Sequence, residues 1–158
     1  MANMADTTIL SWITAEVDQA LETVRRNIVK FLTVREDPGL LKLCPEHLHQ
    51  VSGALRMVGL AGATRFCEAL ERSLAVPEGG AAPSATAIEV IDRSVLALKE
   101  FVNELARGQA NVPLRLYPAY QDLVRLQGGQ EACEKELFFP DLTATPPAHP
   151  GARTLPEA

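Results

Sequence analysis

The 158-residue chain has little of what staples, coordinates or anchors a small protein. Its three cysteines, Cys44, Cys67 and Cys133, have neither disulfide parity nor metal-ligand spacing, which points to a reduced compartment and no metal site. One tryptophan, two tyrosines and five phenylalanines, with few β-branched clusters, are too little for an all-β fold. Positive charge is not in excess: Lys and Arg number 15 against 20 Asp and Glu, a net charge of −5. A nucleic-acid partner is excluded on that ground, because nothing would neutralise phosphates in bulk. No apolar run approaches the roughly 20 residues that cross a bilayer, and the acidic, interrupted N-terminal stretch does not read as a signal peptide, so membrane insertion is not expected. Glycine-rich nucleotide loops, nucleophile elbows and paired-carboxylate patterns are all missing. What is present is 47% apolar residues, enough for one modest core in a cytoplasmic, all-α domain.

Apolar residues recur every three or four positions along most of the chain. Residues 8–33 carry Leu10, Ile13, Val17, Leu21, Val24, Ile28 and Leu32 on one stripe, with Asp6, Thr7 and Thr8 as candidate caps. Asp37-Pro38 starts a second segment, in which Pro45 should kink the helix or split off a leading turn. Its main run reaches Gly59, with Leu48, Val51, Leu55 and Val58 inward. A third helix is expected at about 61–75, then a loop through the Pro/Gly-rich residues 76–83. Ser84 caps a fourth helix, whose Ile88, Ile91, Val95, Leu98, Val102 and Leu105 face inward and which Gly108 ends. Four amphipathic helices with short connections predict an antiparallel bundle over 8–108. Extra helices follow at 113–139: one at about 114–127, delayed by Pro118, and a short one at Gln130–Leu137. The Tyr117–Tyr120 and Phe138-Phe139 stretches should pack this layer on the bundle. Residues 140–158 hold five of the 11 prolines and little to bury, which predicts a disordered linker or tail after an 8–139 domain.

Two of the three histidines lie on the second helix. At about 100° per residue, His49 points roughly 140° from the inward direction set by Leu48, Val51, Leu55 and Val58. Gly53 falls one turn along on the outer face, where a helical glycine costs about 1 kcal/mol relative to alanine. A glycine there makes sense if a partner's backbone must approach the imidazole. His47 lies toward the flank and has no glycine four residues on. His47 and His49 face different sides, so they form no metal clip. Met57 also projects outward, as an isolated side chain or as an apolar contact for a partner helix.

The run His49-Gln50-Val51-Ser52-Gly53-Ala54, with Gly59 closing the helix and Leu70-Glu71 on the next, resembles the phosphoacceptor motif of histidine phosphotransfer (HPt) domains. The stretches Leu48–Leu60, Pro113–Pro118 and Glu136–Leu142 are similar, more specifically, to the N-terminal HPt-like module of the chemotaxis-type hybrid histidine kinases of type IV pili and to related pilus scaffold proteins. The resemblance spans about residues 9–142. It implies a four-helix bundle on which His49 accepts a phosphoryl group and Glu71, as the possible tautomer-fixing partner, orients the ring. The phosphoryl group would pass between a histidine kinase catalytic domain and the aspartate of a response-regulator receiver domain, in a chemosensory system that controls twitching motility. A neutral imidazole is a competent nucleophile near pH 7. No cofactor of the chain's own is implied, since kinase and receiver bring the ATP and magnesium. Gln50, Ser52, Gly53, Arg56 and Met57 would form the docking face for those partners.

One position departs from that pattern. Ser52 stands where the family usually has a lysine that neutralises the incoming phosphate, and Arg56 is the candidate substitute. Related pilus modules include ones that have lost the acceptor histidine and serve as docking scaffolds. The alternative expectation is therefore a degenerate, HPt-like docking scaffold that is not phosphorylated.

Overall fold

The computed structural model describes residues 4–34, 39–75, 83–129 and 132–137, with the side chains of 4–7 left undescribed. These residues are helical with no strand among them: α1 (Met4–Thr33), α2 (Gly39–Lys42), α3 (Cys44–Met57), α4 (Ala61–Leu74), α5 (Ala85–Ala106) and α6 (Tyr117–Leu126). Single 3-10 turns occupy Pro113–Leu116 and Glu134–Glu136. The expected Asp37-Pro38 start, most of the 76–83 loop, Phe138-Phe139 and the 140–158 tail lie outside the described residues.

The three-and-four spacing produces the core. Val17, Leu21, Val24, Ile28 and Phe31 of α1 meet Leu48, Val51 and Leu55 of α3, Ala63, Phe66, Cys67, Leu70 and Leu74 of α4, and all six inward residues expected on α5. Leu10, Ile13 and Leu32, at the two ends of the α1 stripe, are only partly buried. Pro45 sits in the first turn of α3, where its missing N–H leaves no intrahelical bond unmade, and so separates α2 from α3. Gly59 ends α3 at φ +76°, with Leu60 N–H donating to Leu55 O at 3.0 Å and Gly59 N–H to Arg56 O at 3.1 Å. That left-handed cap turns the chain sharply into α4 and makes α3 and α4 an antiparallel hairpin. At the start of α5, Ser84 Oγ accepts from Ala87 N–H at 3.2 Å.

Polar ties fix the helix pairs. Arg25 pairs with Asp92 at 3.0 Å, Lys99 with Glu22 at 2.6 Å, and Asn103 donates to Asp18 at 2.9 Å, holding α1 and α5 antiparallel. The α6 layer closes over α4 and α5. Gln127 Nε2 donates to Ala69 O and to Ser73 Oγ, both at 2.9 Å, and Tyr117 OH donates to Ala132 O at 2.8 Å. Gly62 is the close approach of this layer: a Cβ there would lie 2.3 Å from Pro113 Cβ. The short helix expected at Gln130–Leu137 is not formed by its described part. Cys133 is extended and one 3-10 turn follows. Glu136 is drawn away to accept from Tyr120 OH and Cys133 N–H, and so brief a segment cannot offset helix nucleation.

Candidate functional site: the outer face of α3 and α4

His49 projects from the middle of α3 with its side chain 78% exposed. Its Nδ1 lies 3.2 Å from Oε1 of Glu71, which rises from α4 on the other arm of the hairpin. The antiparallel pairing set by the Gly59 turn brings these two positions level, although 22 residues separate them. With the ring proton on Nδ1, Nε2 keeps its lone pair.

A side-chain-to-backbone bond near His49 ties α4 to α3. Cys67 Sγ donates to Leu48 O at 3.2 Å across the interface, and Ser52 Oγ donates to His49 O at 2.9 Å within α3. Burial pushes the thiol of Cys67 far up, out of its ordinary range, so it acts here as a small, neutral, packed side chain.

Of the residues expected on the docking face, Gln50, Arg56 and Met57 are exposed, and Gly53 opens onto free space with nothing within 4 Å of an added Cβ. Ser52 is a correction. It is 3% exposed and turns into the α3–α4 seam, because its position falls on the inner side of the helix next to Val51 and Leu55. Arg56 does not reach back toward His49. It pairs with Glu68 of α4 at 2.6 Å. Met57, 83% exposed, stands at the end of α3. His47 is half-buried on the flank.

Reading from the sequence missed Arg65, Glu68 and Arg72, which run along the α4 side of this face. Their i, i+3, i+7 spacing was the available signal. With Arg56 they set three arginines among Glu46, Glu68 and Glu71 on the surface around His49. An open depression of about 230 Å³ adjoins it, lined by Arg56, Gly59, Ala61, Thr64, Arg65 and Glu68. Among the described residues no group of three or more His, Cys, Asp or Glu could hold a metal ion, and no helix is long and apolar enough to cross a membrane.

The arrangement is a helical bundle that carries an exposed imidazole, 3.2 Å from a carboxylate, on the open outer face of α3 and α4. Residues 6–113 match the FimL C-terminal domain, and the chain belongs to that family. It is similar to the scaffold protein FimL of Pseudomonas aeruginosa, 26% identical over 133 residues, which is 84% of this chain and 24% of that protein. The chain thus spans about a quarter of the length of that relative. No solved structure matches it.

Proposed function

We propose that this chain is a protein-docking module of a scaffold in a type IV pilus chemosensory system, and that the outer face of α3 and α4 is its contact surface. The observation that carries this reading is Met57, 83% exposed one turn along from the uncovered Gly53 and next to Arg56. An exposed apolar side chain flanked by charged groups suits a protein interface. The family match to a scaffold protein supports it independently. Receiver and kinase catalytic domains of the same system are the partners to titrate against the chain by calorimetry. Gly53→Leu and Met57→Glu should each weaken binding about tenfold or more while leaving helicity intact. Wild-type affinity in both variants, or no binding of either partner by the wild type, would sink the reading.

A second reading, favoured by the 3.2 Å approach of Glu71 to His49, adds phosphoryl transfer on the same surface. The Nε2 lone pair attacks phosphorus, the new N–P bond forms, and the bond from phosphorus to the donor oxygen breaks. Glu71 accepts the Nδ1–H and stabilises the positive charge that develops on the ring. Kinase and labelled ATP should give an acid-labile, alkali-stable label that His49→Gln abolishes and His47→Gln does not. His49→Gln should retain docking, which separates the two readings. A wild-type chain that takes no label from a kinase active on an authentic HPt domain leaves docking alone.

A further inference from the structure

Among the described residues nothing covers the outer face of α1, which carries the chain's only tryptophan. Trp12 is 80% exposed, off the Leu10–Ile13–Val17 stripe that faces the core. On the same outward side lie Glu16, Gln19, Thr23, Arg26 and Lys30, spaced three or four apart over about four turns. Glu16 is anionic near one end of this line, and Arg26 and Lys30 are cationic near the other. These three charges have no ion-pair partner among the described residues, whereas the inward-leaning Asp18, Glu22 and Arg25 are all tied to α5.

That order is its own complement when reversed. We infer that α1 pairs antiparallel with α1 of a second copy of this chain, about a two-fold axis that crosses the outer face of α1 at the level of residue 21. Three contacts then share one register. Glu16 faces Arg26 of the other copy, Gln19 faces Thr23, and the Trp12 indole lies over the Lys30 ammonium as a cation–π contact. Each contact occurs twice, as an isologous interface requires. A parallel pairing would set Glu16 on Glu16 and Arg26 on Arg26, so charge selects the antiparallel mode. Because α1 packs on α3 and α5, with α4 diagonally across the bundle, the His49–Glu71 surface stays open in the dimer. The seam is mostly polar and one helix wide, which makes this a reversible association strengthened by low salt.

Sedimentation equilibrium of the 158-residue chain across a wide concentration series, with Trp12 emission recorded in parallel, tests it. The wild type should pass from monomer to dimer while the emission shifts to the blue, and the midpoint should move to higher concentration as salt rises. Arg26→Glu should weaken dimerisation about tenfold, and the reversed pair Glu16→Arg with Arg26→Glu should restore it. Both substitutions are on exposed positions, and an unchanged thermal midpoint would confirm that the fold is not what they alter. A chain that stays monomeric with unshifted Trp12 emission overturns the inference. A dimer indifferent to Arg26→Glu, or a doubly reversed chain that fails to recover, overturns it equally.

Discussion

Nδ1 of His49 and Oε1 of Glu71 lie 3.2 Å apart, on the two arms of the α3–α4 hairpin. The carboxylate, only partly exposed, approaches the ring from below while the rest of the imidazole stands in solvent. With the proton on Nδ1, facing this carboxylate, Nε2 is the free nitrogen. Replacing Glu71 by Gln keeps a hydrogen-bond acceptor but removes the charge. Chemical phosphorylation by phosphoramidate, read by phosphorus NMR, should then slow by about threefold to tenfold at His49, as expected for losing one charge-assisted contact. An unchanged rate would show that Glu71 is an ordinary surface carboxylate.

Gly53 and Gly62 are both helical glycines, and alanine should act on them in opposite directions. A Cβ at Gly53 meets nothing, so Gly53→Ala should raise stability by about 0.5–1 kcal/mol through helix propensity alone. A Cβ at Gly62 would lie 2.3 Å from Pro113 Cβ and 3.0 Å from Leu137 O. Gly62→Ala should cost about 1–3 kcal/mol as the layer over α4 is pushed away. Urea unfolding of the two variants measures both signs.

Thiol reactivity should separate the cysteines cleanly. Cys133 is exposed, while Cys44 and Cys67 are buried. Burial pushes the Cys44 thiol up to about 11. At pH 8 a thiol reagent should label Cys133 rapidly and reach Cys44 and Cys67 only after denaturation. Rapid labelling of Cys67 in the native chain would mean that the α3–α4 seam opens.

Alkaline pH should weaken the fold through Cys44. The folded chain holds this thiol neutral, and an unfolded thiol ionises near 8.5. The contribution is therefore fully present below about pH 8.5 and lost as pH rises toward about 11. Glu22 acts at the other end of the scale. Its hydrogen bond from Lys99 holds its carboxyl below the usual range, so that contribution is present near neutrality and fades as pH falls through the folded value. Cys44→Ala should make the alkaline limb of a pH–stability profile shallower, Cys67 supplying the slope that remains, without altering the acid limb.

The helices, their inward faces and most of their ends were legible in the residues themselves. Every inward position expected on α5 is buried, Ser84 caps it, Gly108 follows its end at φ +92°, and Pro45 separates α2 from α3. These features rest on interactions within about four residues of chain, which periodicity and capping chemistry express directly. The outward rotation of His49 belongs with them. The 3.2 Å approach of Glu71 and the capture of Arg56 by Glu68 do not, because they depend on how far one helix slides along its neighbour. That offset is set jointly by the left-handed turn at Gly59 and by the small side chains Ser52, Ala63 and Cys67 that let α3 and α4 approach. The burial of Ser52 likewise came only with the partner helix, since a hydroxyl on the shoulder of α3 faces solvent or seam according to what packs beside it. Local pattern thus determined the long helices and which side of each is apolar. Tertiary packing decided which polar groups meet, because a meeting of two side chains needs the axial shift and rotation of both helices at once.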